Sequence, residues 1–196
     1  MNKERLVAFF DAMLAIIMTI LVIELEKPAE MTWNAVLELR ENFFAYALSF
    51  FWLGTMWVNL HNEWHDAKYI SRSVIWWNVI LLFFSSLCPY VTDIVSNNFN
   101  SSMAQVLYGI IVLCVTFVNI FMNNALEKAN KKDTELKNKI ITNRNRLYID
   151  IAIKLIGIVV SATIYPPAMM ISVLITMILI IIPSKENEVK NNEQKV

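Results

Sequence analysis

Glycine is scarce in this chain. There are three in 196 residues, Gly54, Gly109 and Gly157, each alone. A phosphate-cradling loop or a dinucleotide fingerprint needs several glycines within one turn, so that whole group of nucleotide sites is excluded. Cysteine is rarer still: Cys88 and Cys114 both sit inside apolar runs, and read as buried free thiols rather than a disulfide framework. Charge is thin. Only 17% of residues are Asp, Glu, Lys or Arg, against about 25% in an ordinary soluble domain. The 17 basic residues balance 17 acidic ones, and a chain with no net charge is a poor bulk binder of nucleic acid. What fills the sequence is apolar: 57% of it, above the usual ~45–50%.

Those apolar residues come in six runs, over 6–25, 43–60, 74–95, 103–122, 147–165 and 168–182. A helix needs about 20 mostly apolar residues to cross the hydrocarbon core. An all-α membrane protein of six transmembrane helices is the expected fold class, one domain over 1–184 followed by a polar tail, 185–196. A signal-peptide reading of the first run is suggested by Lys3 and Arg5 ahead of it. It fails at the end of the run, where Glu24, Glu26, Lys27 and Pro28 stand in place of a small-residue cleavage site. An amphipathic turn near Trp33 is a candidate early start for the second run. Pro89 lies inside the third. Pro166 and Pro167 separate the fifth and sixth, which are expected to pair as a short hairpin.

Basic residues fix the expected orientation. Two precede the first run, two follow the second (Lys68, Arg72), seven follow the fourth, and three lie in the tail (Lys185, Lys190, Lys195). The opposite side carries only Lys27 and Arg40, and Lys154 falls within the fifth run. Positive charge marks the cytoplasmic loops, so both termini are expected in the cytoplasm of a multi-pass cell-membrane protein.

The first run carries the most specific pattern. Ala12, Ile16, Thr19, Ile23 and Glu26 recur at alternating spacings of four and three and form one helical stripe. One reading is bland: the threonine hydroxyl bonds back to its own helix on an apolar face. In the other, several copies of this helix meet around an axis. Ile16 and Ile23 then form hydrophobic constrictions, Thr19 a layer of hydroxyl oxygens, and Glu26 an acidic outer mouth that attracts cations. Arg5 and Phe9 project into the same sector. Asp11 lies on a different face, about a turn and a half into the run, and a carboxylate there needs a partner or water.

Other constellations are weaker. His61, Glu63 and His65 place two histidines one turn apart. The zinc-protease order has glutamate next to the first histidine, and here Glu63 falls on the far side, so the segment reads as an interfacial loop beside Trp57 and Trp64. His61 is a candidate pH-sensitive element. Asp150 and Lys154 can pair across one turn of the fifth helix, with Lys154 snorkelling toward the cytoplasmic boundary. The seven cations after the fourth run could touch anionic lipid, but Glu127, Asp133 and Glu135 dilute them, and 126–145 reads as a solvated connector that can extend the fourth and fifth helices. No nucleophile–base set of an enzyme appears within the runs.

Arg5, Phe9, Phe10 and Asp11, followed by Ala15, Ile16 and Thr19, resemble the first-helix signature of the transmembrane protein 175 family. That family comprises lysosomal potassium channels and smaller bacterial relatives, with the signature Arg, three residues, Phe-Ser-Asp. The spacing of Trp57, Asn59 and His61, with Asn78 and Pro89, is similar as well. The resemblance implies a homotetramer in membrane lipid, with four first helices around a pore preferring potassium over sodium and no cofactor beyond the permeant ion. The family lacks the Thr-Val-Gly-Tyr-Gly filter, as does this chain. It also implies pore roles for Ile16, Thr19 and Ile23. Arg5, Asp11, Trp57, His61 and Asn78 would form a hydrogen-bonded cluster behind the pore. The family serine is Phe10 here, which cannot supply a hydroxyl's hydrogen bonds. A proton-conducting channel and a small secondary transporter, the latter built around a helix break such as Pro89, are the competing expectations.

Overall fold

A computed structural model of the chain describes residues 3–179, and every described element is helical. The elements are α1 (Lys3–Ile23), α2 (Trp33–Glu38), α3 (Arg40–Asp66), α4 (Arg72–Ser86), α5 (Cys88–Asn97), α6 (Ser102–Ala129), α7 (Thr134–Thr163) and α8 (Ala168–Leu179). The last residues of the sixth expected span, 180–182, and the polar tail with Lys185, Lys190 and Lys195 lie outside the described residues.

Local chemistry sets the boundaries. Ser71, Ser101 and Asp133 cap α4, α6 and α7, each side chain accepting from the backbone N–H three residues on. These bonds satisfy N–H groups that have no partner within the helix. The third expected span is broken at Leu87, and Pro89 sits in the first turn of α5, where its missing N–H costs nothing. With α4 and α5 taken as one span, four helical stretches among the described residues are long and apolar enough to cross a membrane: α1, α3, α4–α5 and α6.

α7 differs from expectation. It still pairs with α8, Gly157 lying against Ser172, but it is a helix of 30 residues rather than a short one. Its first three turns are built from the polar segment 134–146, whose charge suggested part of a connector. Charge on a helix surface facing water is no obstacle to helix formation. α3 likewise runs through His61 and His65 to Asp66, so that stretch is helix rather than an interfacial loop.

With α4 and α5 taken as one span, consecutive spans run antiparallel, as residue pairs along them show. Lys3 Nζ donates to the carbonyls of His65 and Ala67, and Phe10 meets Trp64 edge-on at 4.9 Å, so the start of α1 lies beside the end of α3. Asn42 at the other end of α3 reaches Asn97 at the end of α5 (3.0 Å). Asn130 after α6 accepts from the Tyr69 N–H (2.9 Å). The basic ends of α1, α3, α6 and α7 therefore share one end of the bundle. The core is packed by Leu6, Phe10 and Leu14 of α1 with Leu53 and Leu60 of α3, Leu81 of α4 and Val112 of α6. Cys88 is buried, while Cys114 is only half-buried.

Candidate functional site

α1 is two-faced. Leu6, Phe10, Leu14, Ile17 and Leu21 are buried, packed toward α3, α4 and α5. At ~100° per residue this face lies roughly opposite the stripe singled out in the sequence. Ala12, Ile16, Thr19 and Ile23 are all exposed, Ile16 by 54% and Ile23 by 74%. Arg5 and Phe9 share that outward sector and are exposed too. Thr19 donates its hydroxyl proton to the Ile16 carbonyl (2.8 Å). Its oxygen is thereby left to act outward only as an acceptor. The bond back to the helix and the acceptor role are one geometry, not two. Glu26 is exposed, but α1 ends at Ile23, so Glu26 is carried by the following coil rather than by the helical repeat.

The side chains expected to cluster behind this face are partly brought together. Trp57 Nε1 donates to Asp11 Oδ1 (2.8 Å), and the His61 ring tilts over Trp57 at 5.4 Å between centroids. Arg5 has no hydrogen bond among the described residues. Asn78 is fully buried on α4, and neither atom of its amide finds a partner. Phe10, in place of a serine, turns into the core against Trp64, and Asp11 is served by the Trp57 indole instead.

Two polar sites were not legible from single helices. Lys154 does not snorkel: it is 0% exposed. Its ammonium lies 2.6 Å from Asp150 Oδ2 and 3.1 Å from Thr116 Oγ1, and 5.0 Å above the Trp52 ring. α3, α6 and α7 each contribute to enclosing it. Glu63, on the face of α3 opposite the exposed histidines, is buried and accepts from Asn123 of α6 (3.3 Å) and Asn143 of α7 (2.8 Å). Only the i, i+4 spacing of Asp150 and Lys154 hinted at the first site; nothing hinted at the second. Among the described residues no group of three metal-ligating side chains converges.

Fold and site together define an all-helical, multi-pass membrane protein with the outer face of its first helix left uncovered. The model of the family described as endosomal/lysosomal potassium channel TMEM175 matches residues 5–89. A protein named a potassium channel from Chryseobacterium sp. (strain P1-3) is 32% identical over 161 residues, 82% of this chain and 83% of that one. A second protein so named, from Chamaesiphon minutus, is 26% identical over 141 residues, covering 69% and 70%. A crystal structure titled as a lysosomal potassium-selective channel TMEM175 homolog from Chamaesiphon minutus superposes with a TM-score of 0.70 at 20% identity, over 94% of this chain and 97% of that one. The chain belongs to the TMEM175 family, a family of ion channels and not of enzymes.

Proposed function

We propose that the chain is one subunit of a potassium-preferring cation channel of the cell membrane, conducting passively without a cofactor. In this reading six helices cross the bilayer, with α4–α5 as one crossing and α7 and α8 as the last two, and both termini are cytoplasmic. Four copies assemble so that their α1 stripes face a common axis. Ile16 and Ile23 then constrict the pore, the Thr19 oxygens form an acceptor layer between them, and Glu26 concentrates cations at the outer mouth. Asp11, Trp57 and His61 brace α1 from behind, with Arg5 completing that cluster in the assembly and Asn78 buried on α4.

One observation carries the reading: the stripe sits in the middle of the only uncovered face of α1, directly away from the buried one. Lipid alone would not call for a hydroxyl acceptor in the middle of that line. The adjacency of Asp11, Trp57 and the exposed His61 favours one second reading, a channel that carries protons.

The test is ion flux into liposomes holding purified protein under a potassium gradient, with sodium and proton gradients as controls. Potassium-selective flux without added ligand supports the reading. Proton-following flux moves support to the second. No flux from folded protein contradicts both and favours a coupled transporter.

A further inference from the structure

A cavity lies away from α1, at the basic end of the bundle. It has a volume of about 480 Å³ and is lined by Asn124, Glu127, Lys128, Lys131, Lys137 and Arg144, from the last turns of α6, the turn after it and the first half of α7. That volume is in the range of small-ligand pockets, ~300–1,000 Å³, and far more than a single chloride needs.

In the sequence, acids dilute the cations of this segment. In the structure each of those acids is paired or lies off the cavity. Glu127 accepts from Arg144 at 2.8 Å. Asp133 is held by Lys68 at 3.0 Å. Asp66, which comes in from α3, takes Lys139. Glu135 is exposed and does not line the cavity. Lys128, Lys131 and Lys137 are left with no ion pair or hydrogen bond among the described residues. Arg144 spends a single nitrogen, Nη1, on both Asn124 (2.7 Å) and Glu127 (2.8 Å). That fixes the guanidinium plane and leaves its other N–H groups open, and such a held fork suits a phosphate better than a mobile cation does. Four cations against one neutralised carboxylate make a cavity in want of an anion.

The depth of the cavity fits its charge. Arg144 precedes the apolar stretch of α7, beginning at Leu147, by about 4.5 Å of helix, and Lys128 follows Met122 at the end of that of α6 by about 9 Å. A headgroup layer is about 5–8 Å thick on each side of the hydrocarbon. The cavity thus opens within the headgroup layer and extends beyond it.

We propose that this cavity is a binding site for a phosphate-bearing anion, held by Lys128, Lys131, Lys137 and Arg144. Basic pockets between helices at the cytoplasmic surface take anionic lipid headgroups, and a soluble polyphosphate offers the same chemistry. The site joins α6 to α7 and touches no residue of the α1 face, so it does not depend on how the pore is read.

The test is the thermal midpoint of the full-length protein in neutral detergent, titrated separately with short-chain cardiolipin, short-chain phosphatidylcholine and sodium tripolyphosphate. A ligand that binds only the folded state raises the midpoint. The variant is Lys128→Gln, Lys131→Gln, Lys137→Gln, whose three side chains have no partner to lose among the described residues. The control removes the same charge from the tail, Lys185→Gln, Lys190→Gln, Lys195→Gln. Near an anionic surface each lysine is worth roughly fivefold in affinity, so the cavity variant is expected to bind about a hundredfold more weakly. A midpoint raised by cardiolipin but not phosphatidylcholine, and lost only in the cavity variant, supports the site with lipid as the source. The same pattern with tripolyphosphate alone supports it with a soluble anion. No rise with either anion, or equal loss in the tail variant, overturns it.

Discussion

Trp57 Nε1 reaches across from α3 to donate to Asp11 Oδ1 of α1 at 2.8 Å, on the flank of the outward stripe. The bond ties the helix proposed to line the pore to the helix behind it, and it needs an acceptor rather than a charge. Asp11→Asn is therefore expected to keep the thermal midpoint near that of the parent, while Asp11→Ala and Trp57→Phe lower stability by about 1 kcal/mol each, the usual worth of such a bond at a partly exposed site. Equal damage from Asn and Ala would show that the carboxylate's charge, and not this bond, holds α1.

Lys154 and Asp150 form an ion pair with almost no access to solvent. Removing one member strands the other. Lys154→Met is expected to destabilise the fold by about 3–5 kcal/mol, and the double variant Lys154→Met, Asp150→Leu to recover much of that, because an apolar pair strands no charge. Thermal unfolding of both variants in one detergent checks it. A double variant no better than the single one would show that the contacts to Thr116 and Trp52 dominate.

Gly157 and Gly54 separate two kinds of helical glycine. A Cβ on Gly157 would meet Ser172 Cβ of α8 at 2.7 Å, whereas one on Gly54 would find only the tip of Met18, at 3.8 Å. Gly157→Ala is expected to cost about 1–3 kcal/mol by overpacking. Gly54→Ala is expected to be neutral or to gain up to ~1 kcal/mol through helix propensity. A chemical or thermal melt ranks the two; the reverse order would contradict the close approach of α7 and α8.

Asp133 couples the α7 cap to acid. The Leu136 N–H, and after it Lys68, hold its carboxyl below the usual 3.8. A group depressed in the folded state stabilises it above the unfolded value and loses that contribution as pH falls through the folded one. The destabilisation caused by Asp133→Ala is therefore expected to be full at neutral pH and to fade only below 3.8. A penalty that does not change with pH would contradict the charged cap.

How much of this was legible depends on the range of each interaction. The α1 stripe was readable because a 3.6-residue period lies within one helix, and its outward exposure is that period carried into space. Four of the expected spans, α1, α3, α4–α5 and α6, were readable because apolar runs of membrane length have few alternatives. The α4–α5 break was visible as Pro89, although the helix gives way two residues earlier, at Leu87. The environment of Lys154 was not readable: snorkelling and burial both satisfy a lysine one turn from an aspartate, and the choice is made by Trp52 and Thr116 on other helices. Glu63 was hidden in the same way, since Asn123 and Asn143 lie 60 and 80 residues away. The helical start of α7 was legible only as one of two options, an extension of the fifth helix or a connector, because its charge pattern suits a solvated helix and a solvated loop equally.

The central claim is that the outward stripe of α1 faces permeating ions. The measurement closest to it is the bi-ionic reversal potential, potassium against sodium, of the parent and of Thr19→Ala in planar bilayers. Thr19 is exposed and bonded only to its own helix, so the variant is expected to fold and assemble normally. A shifted potassium-to-sodium permeability ratio is the predicted result. Reversal potentials that stay where they were would contradict the assignment of Thr19 to the ion path.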